Sequence, residues 1–149
     1  MVKIAGFILL LLLSSQLLFA QSALIKKKVA LFESGSNHEA AIIEIKSMLG
    51  KTTLTAQDRI LLQTALIHQY QELQQWDLCL NYCHQEILQA KQQGNLLAEA
   101  SFYKLIGNTY YYIPDKNKAV EYWEKSIAIA RENQFSILLE ECYHNVGAI

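Results

Sequence analysis

Sliding the chain against itself by 40 residues brings like onto like. Tyr103-Lys104-Leu105-Ile106-Gly107 falls on Tyr143-His144-Asn145-Val146-Gly147. In the other direction Ile106 falls on Leu66, Tyr110 on Tyr70, Ala119 on Cys79, Trp123 on Cys83, Ile127 on Ile87 and Ala130 on Ala90. Small residues meet small ones, and large apolar residues mostly meet large ones. One step further back the register blurs, with Ala40-Ala41 one residue out of step with Cys79. A period between roughly 20 and 50 residues marks stacked supersecondary units, none of which can bury its apolar face alone.

Within the repeat the apolar residues recur at three and four, which is helical spacing. Leu97, Ala100, Tyr103 and Ile106 follow it, as do Ala119, Tyr122-Trp123, Ile127 and Ala130. The chain has one proline and almost no alternating β-branched run. Pro114 stops one helix and Asp115 behind it can cap the next. Gly94-Asn95, Glu132-Asn133 and the polar stretch from Gly50 to Thr55 supply the other stops. The pattern predicts an all-α chain, with helices at about Ala23–Ser34, Asn37–Leu49, Ala56–Gln74, Asp77–Gln92, Leu96–Tyr112, Lys116–Glu132 and Ser136–Ile149.

The segment Gly94 to Asn133 resembles the tetratricopeptide repeat, in the long-period variety found in exported bacterial repeat proteins and in repeat sensor regions. The family's slots for a large residue, Leu-Gly, Tyr, Ala, an aromatic and Ala hold Tyr103, Ile106-Gly107, Tyr110, Ala119, Trp123 and Ser126 here. Gly107 and Ala119 are the informative pair, because only small side chains let two helices of a unit cross closely. The preceding unit departs from the pattern: Ile67 replaces the Gly and Cys79 the Ala. The resemblance implies a right-handed α-solenoid of antiparallel helix pairs, with units at about 22–50, 56–93 and 94–133 and a partial unit at 134–149. It also implies that the first helix of each unit lines a concave groove. The groove positions are then Ser101, Lys104, Asn108, Tyr111 and Tyr112, with Thr64, His68 and Gln71 one unit earlier and Glu141, His144 and Asn145 one unit later. Tyr111 and Tyr112 carry aromatic area with a polar tip, a type enriched in interface hot spots. Lys104, Asn108 and Asn145 also resemble the spacing with which some members of the family grip a peptide's terminal carboxylate.

Residues 1–20 read as a secretory signal: Lys3, an apolar run from Ile4 to Leu13, the break Ser14-Ser15-Gln16, then Leu17 to a small residue at Ala20. Cleavage is expected after Ala20, leaving 21–149 as the repeat domain, exported to the periplasm or another extracytoplasmic space. An uncleaved anchor is the rival reading, since the apolar stretch approaches the lower limit of about 17 residues for a span. Lys26-Lys27-Lys28 sits awkwardly with export, because basic residues there tend to stay on the cytoplasmic side. Ile149 follows Gly147-Ala148 with no capping residue and no polar end helix, so the natural protein is expected to continue.

The chemistry of catalysis is not legible. There is no Gly-rich phosphate loop, His-Glu-x-x-His, Cys-x-x-Cys, spaced-Asp calcium loop or Gly-x-Ser-x-Gly elbow. Cys83 and His84 are adjacent on a helix and point about 100° apart, a poor start for a shared metal or a nucleophile–base pair. Glu121, Glu124, Glu140 and Glu141 read as a solvated helix face. Three cysteines make no disulfide framework, and Cys79, Cys83 and Cys142 read as small apolar residues. A net charge of −1 gathers no nucleic acid. No catalytic residue, cofactor or metal is therefore expected. The expected function is an extracytoplasmic scaffold that binds a peptide or protein. The alternative is the sensor region of a membrane signalling protein whose transmembrane and output domains, a histidine kinase or a helix-turn-helix regulator, follow Ile149. A third class is the targeting appendage of an enzyme.

Overall fold

A computed structural model describes the backbone of residues 2–51 and 53–149 and the side chains of 14–51 and 53–149. These residues form α-helices joined by turns, with no strand among them. The helices are α1 (Val2–Ser34), α2 (His38–Leu49), α3 (Ala56–Glu72), α4 (Trp76–Gln93), α5 (Leu96–Tyr112), α6 (Lys116–Glu132) and α7 (Ser136–Gly147). The chain divides into two compact units, Met1–Leu66 and Ile67–Ile149, with the boundary inside α3.

Three bounds correct the sequence reading, the smallest being that α3 ends at Glu72 and not at Gln74. α1 begins at Val2 and not at Ala23; the Ser14-Ser15-Gln16 break contains no Pro or Gly, so nothing in it ends a helix. The charged start and apolar core of the expected signal fall at residues 1–13, outside the described side chains. Among the described residues no helix is long and apolar enough to cross a membrane. α7 stops at Gly147 and not at Ile149, closed by the Ala148 N–H on the carbonyls of Asn145 and Val146.

In the first unit α1, α2 and the start of α3 bury Ile25, Val29, Ala41, Ile45, Met48, Leu62, Ala65 and Leu66. Asn37 starts α2 by accepting the Ala40 N–H at 3.1 Å. Thr55 starts α3 reciprocally: its Oγ1 accepts the Asp58 N–H at 3.0 Å and donates to the Asp58 carboxylate at 2.8 Å. Ser22 on α1 donates to the same carboxylate at 2.6 Å, so the buried Asp58 is the polar joint between α1 and α3. Lys28 pairs with Glu44 across α1 and α2.

The second unit is built on a stricter metre than the sequence suggests. The N–H groups of Gln75, Asn95, Asp115 and Phe135 each donate, at 2.9 Å, to the carbonyls of Tyr70, Ala90, Tyr110 and Ala130. The 40-residue period is therefore two helix–turn steps of about 20, each closed by the same 6→1 bond that satisfies an orphan carbonyl. The residue before the donor is left-handed at Gln74 (φ 55°), Gly94 (φ 65°) and Gln134 (φ 58°). Asn95 and Asp115 add side-chain caps on Ala98 and Lys118, each worth about 1 kcal/mol. Turns this short leave consecutive helices antiparallel, and α4 packs on α5, α5 on α6 and α6 on α7.

At the α5–α6 crossing a Cβ on Gly107 would lie 2.5 Å from Trp123 Nε1, nearer still to Cδ1, and 3.0 Å from the Ala119 carbonyl. The indole occupies the space a side chain would need, and Trp123 is 2% exposed. One period earlier the positions of Gly107 and Trp123 hold Ile67 and Cys83, both fully buried. The α3–α4 pair departs from the repeat pattern there, and the Cys79 thiol on α4 donates to the Ile67 carbonyl on α3 at 3.7 Å. The last layer joins Ala100, Ile127, Ala130, Leu138 and Cys142, with Leu97, Phe135 and Val146 packed around them.

Candidate functional site

The alternate helices of the second unit are joined directly through side chains. The Gln71 amide on α3 donates to Thr109 Oγ1 on α5 at 2.9 Å, and that hydroxyl donates to the Leu105 carbonyl at 2.9 Å. Lys104 on α5 pairs with Glu141 on α7. The Asn145 amide on α7 donates to Asn108 Oδ1 on α5 at 2.9 Å, and the same oxygen accepts Trp123 Nε1–H at 2.9 Å. Each cross-link spans 37 or 38 residues, so the first helices of successive pairs lie side by side in near-constant register.

The structure thus brings Lys104, Asn108 and Asn145 onto one strip, and it also uses them. Glu141 holds the Lys104 ammonium, and Asn108 Oδ1 already takes two N–H groups. A terminal carboxylate arriving here would have to displace Glu141. His144 stands exposed next to Asn145 on α7, and His68 is half-buried on α3. Gln71 is a correction: expected in the groove, it is buried and ties α3 to Thr109. A buried amide costs free energy unless bonded, and the partner that meets this need lies on another helix. Ser101, another expected groove residue, is half-buried and turns back to donate to the Leu97 carbonyl at 2.7 Å.

Beyond Asn108 the strip becomes aromatic. Tyr111 packs its ring 6.0 Å from that of Trp123 and edge-on to Tyr112 at 6.1 Å. Tyr112 runs nearly parallel to Trp76 on α4, with centroids 6.1 Å apart and planes 12° apart. Both tyrosines remain open to solvent, at 41% and 58% exposure. Trp76 escaped the sequence reading; its one signal was a large aromatic beside the polar pair Gln74-Gln75, where no packing pattern asks for it.

A separate aromatic cluster joins α4, α5 and α6. Tyr122 stacks on Tyr110 (5.7 Å, 18°), lies beside Tyr103 (6.2 Å) and meets the edge of His84 (6.3 Å). Lys91, Lys118 and Lys125 lie over Tyr103, Tyr110 and Tyr122. Tyr103 and Tyr110, expected as packing positions of the repeat, are half-buried members of this layer, whereas Ile106, Gly107, Ala119 and Trp123 are in the core.

Cys79, Cys83 and Cys142 are buried and unpaired. Burial pushes the Cys79 thiol up to about 12. Burial also pushes Cys83 well above its ordinary value, with added push from Cys79 and Glu86, and raises Cys142 against the opposing Ser126 hydrogen bond. A thiol held protonated is a poor nucleophile. Cys83 points into the core while His84 is exposed, so these neighbours diverge as helical geometry requires. Glu121 pairs with Lys125, and Glu140 is exposed. Among the described residues no group of three or more His, Cys, Asp or Glu could hold a metal. Comparison with protein-family models, with curated proteins and with solved structures returns no match.

Proposed function

We propose that the chain is a tetratricopeptide-type array, wound as a right-handed α-solenoid, that works outside the cytoplasm as a protein–protein interaction scaffold and not as an enzyme. The observation that carries the reading is the strip on α5 and α7, where Lys104, Asn108, Asn145, Tyr111 and Tyr112 follow one another across side-by-side helices. Its amide and ionic groups are satisfied among themselves, which fixes their geometry before a partner arrives and lowers the ordering cost of binding. Its tyrosines are solvent-exposed rings with polar tips, the residue type that supplies contact area at low entropic cost. An extended or helical peptide segment lying along the strip is the expected ligand.

The test is a peptide-display selection against the 149-residue chain, followed by affinities for Tyr111→Ala and Asn145→Ala. Selected peptides should bind the parent and lose about fivefold or more with Tyr111→Ala, as for a modest hot spot. Peptide acids and their C-terminal amides should bind alike, because Glu141 already holds Lys104. Selection that enriches nothing, or peptides indifferent to both substitutions, would remove the proposal.

A further inference from the structure

The turn from α3 to α4 and the turn from α5 to α6 border a cleft of about 560 Å³ lined by Glu72, Gln74, Trp76, Tyr112, Ile113 and Pro114, with Gln71 at its base. A smaller depression of about 300 Å³ shares Trp76 and adds Asp77. The two linings hold two carboxylates and no Lys, Arg or His. Asp77 has a local reason to be acidic, since it lies in the first turn of α4, where the helix dipole favours negative charge. Glu72 has none. It is the last residue of α3, where the dipole disfavours an acid, and it has no ion pair or hydrogen bond among the described residues.

An unpaired carboxylate beside two nearly parallel aromatic rings, Tyr112 exposed and Trp76 half-buried, is the chemistry of a cation site. Ring faces attract cations within about 6 Å of the centroid, and Trp is the best of them. The planar guanidinium suits this lining better than an ammonium, because it can lie on a ring face while its edge N–H groups reach a carboxylate and an amide carbonyl. An anionic segment would meet Glu72 and Asp77 at close range, and a purely apolar one would strip water from Glu72 with no return.

We propose that the Trp76–Tyr112 cleft, with Glu72 at its rim, receives an arginine side chain from a basic segment of the docked partner. The proposal rests on the reading of residues 67–149 as a peptide-docking unit and names the chemistry of one subsite, at the turn edge of the strip.

The probe is a blocked Gly-Arg-Gly-Arg-Gly peptide, matched against the same peptide with citrulline, which keeps the shape and loses the charge. Binding is read from the Trp76 indole N–H resonance, with the buried, hydrogen-bonded Trp123 indole as internal reference. The arginine peptide should shift Trp76 saturably and leave Trp123 in place, and citrulline should weaken binding about tenfold. Glu72→Gln, a near-isosteric change at an unpartnered side chain, should weaken it about fivefold, and Trp76→Leu more, each with the parent's melting profile. Glu124→Gln, at an exposed carboxylate on α6 outside the strip, should leave it unchanged. Equal affinity for the two peptides, or a Glu72→Gln chain that binds like the parent, overturns the proposal. Display-selected peptides that are lost with Tyr111→Ala but kept with Glu72→Gln would leave the docking strip standing while this subsite falls.

Discussion

Gly107→Ala adds one methyl group to the middle of α5. In an unconstrained helix that change is favourable by about 1 kcal/mol. Here the new Cβ would sit 2.5 Å from Trp123 Nε1 and 3.0 Å from the Ala119 carbonyl, and ordinary contact needs nearly another ångström. The backbone carbonyl cannot step aside, so the indole must. It is 2% exposed, flanked by Tyr111 and bonded through Nε1 to Asn108. Overpacking of this kind costs about 1–3 kcal/mol, and a buried indole N–H pulled from its acceptor about 1–3 more. Set against the propensity gain, the net loss is about 3 kcal/mol, or roughly 10 °C in melting temperature for a chain of this size. Urea unfolding followed by tryptophan fluorescence and by circular dichroism measures it. Gly147→Ala is the control: its Cβ would meet nothing within 4 Å, and stability should hold or rise by a few tenths of a kcal/mol. A Gly107→Ala chain as stable as the parent, or more so, would refute the close-crossing argument.

Three further outcomes are expected. Replacing Gly107 and Trp123 together by Ile and Cys, the pair found one period earlier, should be much less damaging than the two single changes summed, with a coupling of about 2 kcal/mol in a double-mutant cycle. Gln74→Gly and Gln134→Gly should each raise stability in urea by about 0.5–1 kcal/mol, because a side chain at positive φ is strained, whereas Gly94→Ala should lower it by a similar amount. The thiols should resist alkylation until the chain unfolds. Cys79 stays protonated to about 12 when folded but titrates near 9 when unfolded. Its contribution is therefore complete below about pH 9 and is lost as pH rises towards 12, by up to about 1.4 kcal/mol per pH unit. A Cys79→Ala chain should show a shallower decline.

How far the sequence reaches depends on whether a feature is local. α5 and α6 were legible to the residue because Asn95, Asp115, Gly94 and Pro114 are caps and breakers whose meaning needs no tertiary context. The turn after α3 was blurred by two residues because its left-handed position is Gln74, a residue type that gives no such signal. Gly107 and Ala119 announced a close crossing. That Ile67 and Cys83, at the equivalent positions one period earlier, are both fully buried follows only from the folded chain. The strip was half legible: period and polarity brought out Lys104, Asn108 and Asn145. Gln71 was misread because its partner Thr109 is 38 residues away. Trp76 was missed because its ring meets Tyr112 across two turns, a relation that periodicity along one helix does not encode.

The most direct test is a residue-by-residue footprint of a display-selected peptide on the isotopically labelled chain. Resonances of Asn108, Tyr111, Tyr112, His144 and Asn145 should move together on titration, while those of Lys91, Tyr122 and Lys125 stay in place. Movement confined to the Tyr122 cluster, or scattered over both groups without saturation, would contradict the assignment of docking to the α5–α7 strip.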